Sequence, residues 1–149
     1  MMQNLNKRDL TDKLYFKLRA SGYSTLGRRY GTYIPDPPDI GEFQIDILAK
    51  QKKEFAIGIV IDDLSGMDME FLRKKIKFLA ERKSTYSGNP VKLFIAVARK
   101  NYFLIKHLVE TDLVAMAQNI ELMLCEPEAD ILFNEALAKA KTQFPRFIN

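Results

Sequence analysis

The stretch QIDILAKQKKEFAIGIVID, residues 44–62, decides the fold of this chain. Its pattern predicts two apolar strands, 43–50 and 54–61, joined by a lysine-rich turn. The second strand is apolar on both faces until Asp62, which is typical of a central strand covered on both sides. One carboxylate, Asp46, lies within the first strand between two isoleucines. A carboxylate in that setting is costly to desolvate, so we expect a metal ion, a base or a hydrogen-bond donor beside it.

Helical and strand patterns alternate along the rest of the chain. The predicted order begins with a helix at 6–20 and an ambiguous segment at 23–34, before the two strands above. A helix follows from about 65 to 83, with Ser65 and Asp68 at its start, and then a strand at 91–98. The rest is a helical segment at 101–117 in one piece or two, a strand at 119–124 and a last helix that begins at Pro127. This order predicts an α/β fold with a central mixed sheet of four to five strands flanked by helices. The length of 149 residues fits a single domain, 1–149.

The composition is that of a folded protein outside the membrane. Hydrophobic residues make up 47% of the chain and charged residues 28%, and the apolar runs are too short to cross a bilayer. The first ten residues carry no apolar block, so we expect no secretory signal. With one cysteine, a reducing cytoplasmic location is the simplest expectation. The net charge of +4, from 23 Lys and Arg against 19 Asp and Glu, is compatible with a polyanionic partner.

The element order, with Ile-Asp-Ile-Leu-Ala at 45–49 before an apolar strand, resembles the PD-(D/E)xK, or restriction-endonuclease-like, superfamily of nucleases. The resemblance extends from the end of the first helix, at 18–23, to the strand 91–98. It implies the three-layer fold of that superfamily. In its active members a strand aspartate and a downstream acid hold Mg²⁺ or Mn²⁺, and a lysine orients or activates the attacking water.

Under this resemblance Asp46 matches the aspartate that binds the metal, but Gly58 and Val60 stand where the acid and the lysine are expected. A relocated site would take its acid and its lysine from nearby residues: Asp62 or Glu42, and Lys74 or Lys75. Asp62 is four strand residues from Gly58, roughly 13 Å at ~3.3 Å per residue, so it would need a twist or a bulge to reach the metal. The alternative for Asp46 is a structural carboxylate held by backbone amides or a lysine.

Six basic residues are candidates for contact with nucleic acid: Arg28 and Arg29 in the loop after the first helix, Arg73 and Lys77 on the helix 65–83, and Arg99 and Lys100 after the strand 91–98. The helical pair shares one side of its helix, which would form a positive stripe. A solvated face, or charges that complement a helix dipole, is the alternative. Interleaved aromatic residues, namely Tyr30, Tyr33 and Tyr86, keep nucleic-acid contact open.

Three functions are compatible with this sequence. The first is a catalytically degenerate nuclease-fold domain that needs no cofactor and binds DNA, RNA or a protein partner. The second is an active nuclease that depends on Mg²⁺ or Mn²⁺ and uses the relocated acid and lysine. The third is a homodimeric structural or accessory subunit whose interface is formed by the last helix and the segment 113–117.

Overall fold

The computed structural model of the chain describes residues 5–85 and 87–126. In chain order the elements are α1 (Lys7–Ala20), β1 (Ser24–Arg28), β2 (Ile47–Gln51), β3 (Glu54–Ile61), α2 (Met69–Ala80), β4 (Lys92–Ala98), α3 (Arg99–Thr111), a 3₁₀ helix (Val114–Asn119) and β5 (Ile120–Cys125). The five strands lie side by side in the order β1-β2-β3-β4-β5. The first three are antiparallel, whereas β3, β4 and β5 are parallel. The predicted α/β class and mixed five-stranded sheet are confirmed.

Helices cover both faces of this sheet. On one face α1 buries Leu10, Leu14 and Leu18 against small and aliphatic side chains of β2, β3 and β4. On the other face α2 and α3 bury their apolar stripes against the opposite side chains of the same strands. Successive side chains of a strand point to opposite faces, so β3 contributes to both cores and is apolar at every position after Glu54.

The start of α1 was predicted correctly, whereas the start of α2 was not. Asn6 caps α1 in a reciprocal pair with Asp9, because each backbone N–H donates to the side chain of the other residue. Asp68, not Ser65, is the N-cap of α2, and its carboxylate accepts the N–H groups of the first turn. The N–H of Ser65 instead donates to Asp63, at 2.9 Å, in a turn before the helix. The predicted helix 65–83 is therefore shorter at both ends, Met69–Ala80.

Three other boundaries differ from the prediction or refine it. The strand predicted at 43–50 begins only at Ile47, so Asp46 precedes the strand. The ambiguous segment 23–34 contains β1. Arg28, predicted in a loop, is the last residue of that strand. The helical segment 101–117 consists of two pieces, α3 and the 3₁₀ helix. The last helix, predicted from Pro127, lies outside the described residues.

Gly58 allows α1 to approach the centre of the sheet closely. A Cβ atom at this position would lie 2.8 Å from Cδ2 of Leu14 and 3.1 Å from Cβ of Ile47. Both side chains are fully buried in the core beneath α1, so neither can move without disturbing close packing. A central strand normally avoids glycine because it adds no side chain to the core. Here Leu14 fills the space that a side chain of residue 58 would otherwise occupy.

We expect Gly58→Ala to destabilise the protein by about 1–3 kcal/mol, because the added methyl group overpacks the contact with Leu14. Urea unfolding measures this change. Leu14→Ala alone should cost about 2–5 kcal/mol by leaving a cavity. In the double variant the new methyl group enters the space that Leu14 vacates, so the combined loss should be smaller than the sum. Additive losses would contradict this account of Gly58.

Candidate functional site

Asp46 lies at the point where β2 and β3 separate. Ile47 pairs with Gly58 in the last step of the ladder, and the N–H of Asp46 donates to the carbonyl of Gly58 at 2.9 Å. Beyond this, the N–H of Val60 donates to Oδ2 of Asp46 at 3.0 Å, so a side-chain oxygen and not a backbone carbonyl is its acceptor. The two positions that the resemblance assigns to the acid and the lysine thus lie beside Asp46. The carboxylate has the backbone amide partner that its buried setting predicted.

Arg29 holds the chain segment that carries Asp46. Its backbone N–H donates to the carbonyl of Asp46 at 2.9 Å, and its Nε donates to the carbonyl of Ile45 at 3.0 Å. The same Nε lies 3.7 Å from Oδ1 of Asp46, and Nη1 lies 3.7 Å from Oδ2 of Asp36. The backbone N–H and the guanidinium of Arg29 thus satisfy one carbonyl each before β2 begins, and the guanidinium places a positive charge beside the carboxylate.

A cavity of about 230 Å³ opens beside Asp46. Its charged lining residues are three cations and two carboxylates: Lys7 from the first turn of α1, Arg29 from the loop after β1, Lys75 from α2, Asp46 before β2 and Asp62 after β3. The structure thus brings together Asp46, Asp62 and Lys75 of the proposed relocated site. Glu42 and Lys74 do not line this cavity. Five different parts of the chain meet here, at the carboxyl end of β3.

Burial is the main cause of the pKa shifts of Asp46 and Lys75. Burial raises the pKa of Asp46, and the hydrogen bond from Val60 opposes that rise, followed by the charges of Lys75, Lys7 and Arg29. Burial also lowers the pKa of Lys75, which the charge of Asp46 opposes. Each group is therefore less stable in its charged form inside the protein than in water. The folded protein carries this cost to keep a carboxylate and a lysine together.

The charges of the cavity do not fit a divalent cation that stays bound by itself. Two carboxylates face three cations, and one of those carboxylates already accepts the N–H of Val60. Among residues 5–85 and 87–126, no group of three or more His, Cys, Asp or Glu side chains could hold a metal ion. Mg²⁺ is commonly held by one or two carboxylates together with waters and substrate phosphates, and without such a phosphate the three nearby cations repel a divalent ion. The same surplus of positive charge suits an anion.

The six basic residues predicted to contact nucleic acid do not form one surface. Only Arg29 lines the cavity. Arg28 is 7% exposed, forms an ion pair with Asp12 and lies 4.5 Å above the ring of Tyr15, and it lines a different cavity. The remaining four do not line this cavity: Arg73 pairs with Glu70 on α2, Lys77 is exposed on the same helix, Arg99 lies 3.4 Å from Glu126, and Lys100 lies 3.7 Å from Asp63.

Lys7 is a charged residue of the cavity that the sequence did not reveal. It follows the N-cap of α1, about 40 residues before Asp46, and local patterning marks it only as part of a first helical turn. It reaches the cavity because α1 crosses the sheet with its first turn near the carboxyl end of β3. The capping pair of Asn6 and Asp9 was the available signal, since it fixes where the helix begins.

Comparisons of the chain with protein-family models, with curated proteins and with solved structures find no match. Within the part of the chain that the structure describes, no helix is long and apolar enough to cross a membrane. The interpretation of the cavity therefore rests on its own geometry and charge.

We expect Lys75→Met to raise the melting temperature at pH 7, because it removes a charge that the folded state holds at a cost. A lysine whose pKa is lowered on folding contributes stability above its unfolded pKa, about 10.4, and loses that contribution as the pH falls through the folded value. The advantage of the variant should therefore shrink as the pH approaches 10.4. Thermal unfolding at pH 7 and pH 10 measures both effects. Lys74→Met, at the exposed neighbouring position, is the control and should change little at either pH.

Proposed function

We propose that this chain is a catalytically degenerate member of the restriction-endonuclease-like fold and binds phosphate groups of a nucleic acid in the cavity beside Asp46. One observation carries the proposal. Three cations from three separate elements, Lys7, Arg29 and Lys75, converge where a metal-dependent nuclease of this resemblance would hold its metal ion. Contacts from Lys and Arg to phosphates supply most of the affinity of proteins for nucleic acids.

The fixed position of Arg29 supports phosphate binding. Its backbone and its Nε are both hydrogen-bonded to the segment 45–46, so the guanidinium is oriented before any ligand arrives. A pre-oriented cation loses little side-chain freedom on binding, which favours affinity. Asp46 balances part of the positive charge in the free protein, because its carboxylate faces the three cations.

Further cations continue from the cavity along the same edge of the sheet. β3 and β4 are parallel, so their carboxyl ends meet at this edge. Asp62 follows β3, and Arg99 and Lys100 begin α3 directly after β4. The ion pair of Lys100 with Asp63, at 3.7 Å, spans the two strand ends. A nucleic acid that places one phosphate in the cavity would bring its neighbouring phosphates near Arg99 and Lys100.

The packing of Gly58 supports the loss of catalysis. In the resemblance an acid stands at this position, yet a side chain there would collide with Leu14 and Ile47. The lysine position holds Val60, whose side chain packs in the apolar core beneath α1. At residue 58 the space that an acid would need therefore belongs to the packed core.

An active metal-dependent nuclease is the alternative, and one observation favours it. The cavity joins Asp46, Asp62 and Lys75, which are the carboxylates and the lysine that a relocated site would use. A divalent cation that enters together with a substrate phosphate would find these two carboxylates. The homodimeric subunit stays a prediction. Val114 is exposed in the segment 113–117, whereas Leu113 is buried in the core, and the last helix lies outside the described residues.

We expect the protein to bind a fluorescein-labelled 20-nucleotide DNA or RNA with an affinity that falls steeply with salt. Lys75→Met should weaken binding several-fold and reduce the slope of log K against log salt by about 0.7, as the loss of one phosphate contact does. Fluorescence anisotropy at several salt concentrations measures both. Lys53→Met is the matched control, since it removes the same charge from the exposed β2–β3 turn at the other end of the strands. Equal losses in the two variants, or no binding, would contradict the proposal.

We expect no Mn²⁺ binding at millimolar metal in calorimetry, because the cations of the cavity oppose a divalent ion. Asp46→Asn serves as the comparison, since asparagine retains an oxygen that accepts the N–H of Val60. Binding by the natural protein that disappears in Asp46→Asn would favour the nuclease alternative instead. Cleavage of DNA or RNA with Mn²⁺ by the natural protein alone would then establish it.

A further inference from the structure

A second cavity, of about 370 Å³, lies next to the first. Its lining includes Arg8, Tyr15 and the loop from Tyr30 to Ile34. Tyr30 lines both cavities, and the consecutive residues Lys7 and Arg8 of α1 line one each. The two cavities are therefore neighbouring parts of one surface, and Tyr30 belongs to the lining of both.

The backbone holds Tyr30 in this position at a cost. Its φ angle is 60°, in the left-handed region that bulky residues rarely adopt and that costs about 1 kcal/mol or more. The chain around it is fixed on both sides, because the N–H of Arg28 donates to Pro35 at 2.8 Å and the N–H of Arg29 donates to Asp46 at 2.9 Å. The ring itself is 46% exposed. The loop thus presents an aromatic face between the cavities and does not bury it in the core.

Tyr33 adds a second aromatic ring in the same short loop. Its side chain is 95% exposed, so it contributes almost no buried apolar area to the fold. Arg8 lines the second cavity together with these two tyrosines and adds a positive charge to it, whereas the charges of Arg28 and Asp12 in the same lining pair with each other. Aromatic rings beside cations are the combination with which proteins bind unpaired bases and the phosphates between them.

We infer that the two cavities together bind single-stranded nucleic acid, an inference that rests on the proposed function. One phosphate occupies the cavity of Lys7, Arg29 and Lys75, and the adjacent unpaired base stacks on Tyr30 and Tyr33. A base within a duplex cannot offer its face to these rings unless it leaves the stack, which costs a few kcal/mol. The surface therefore favours single strands over duplexes. Stacking is tolerant of sequence, so we expect little preference among bases.

The test compares three DNA probes in fluorescence anisotropy: a 12-nucleotide single strand, the same strand with abasic residues, and the corresponding duplex. We expect the intact single strand to bind about tenfold more tightly than the abasic strand. Tyr33→Ala and Tyr30→Asn should each remove most of this difference, and Tyr33→Ala, which lies outside the lining of the phosphate cavity, should leave the affinity for the abasic strand unchanged. Neither variant threatens the fold, because Tyr33 is exposed and asparagine tolerates the left-handed conformation of residue 30.

Tyrosine fluorescence gives a second readout, since the chain has six tyrosines and no tryptophan. The intact single strand should quench this emission, and the abasic strand should not. Equal binding of all three probes, with no effect of either tyrosine variant, would overturn the inference and leave the proposed function standing. Failure of every probe to bind would overturn both. A preference for the duplex would also reject the single-strand inference.

Discussion

The hydrogen bond from the N–H of Val60 to the carboxylate of Asp46 is the interaction on which the site depends. It ends the pairing of β2 with β3, since a side-chain oxygen accepts the hydrogen bond of this N–H at the point where the strands separate. The separated backbone then needs other partners, and Arg29 supplies them from the loop after β1. The cavity opens in the space that results, and Lys7 and Lys75 line it from the helices on either side of the sheet. A single buried carboxylate thus determines where the cations gather.

The close contact of Gly58 with Leu14 links the fold to the absence of a second acid at this position. The apolar stripe of α1 lies directly on β3, and only glycine leaves room for Leu14 there. An acid at residue 58 would have to displace a buried leucine and would lie in an apolar core, so two unfavourable terms oppose it. Tight packing of α1 and a carboxylate at this position are therefore mutually exclusive in this chain.

Patterns within a short stretch of sequence were enough to predict some of the strands and helices. The strand Glu54–Ile61 and the capping pair of α1 follow from alternation and from residues three apart. The start of α2 was wrong because Ser65 and Asp68 offer competing caps, and Asp63 engages the N–H of Ser65 before the helix begins. The burial of Arg28 and the arrival of Lys7 at the cavity depend on contacts between segments far apart in the chain. No pattern in one stretch of sequence contains that information.

Burial makes the two central charges of the cavity costly, and the anion that we propose would offset part of that cost. Asp46 and Lys75 are both disfavoured in their charged forms by burial, and Lys7 and Arg29 add positive charges that repel Lys75. Neutral residues that kept the hydrogen bond to Val60 would hold the strands together at a lower cost, because removing a buried charge also removes its desolvation penalty. A bound phosphate reverses this balance, since it brings negative charge to three cations that otherwise repel one another. We therefore expect phosphate binding to stabilise the folded protein.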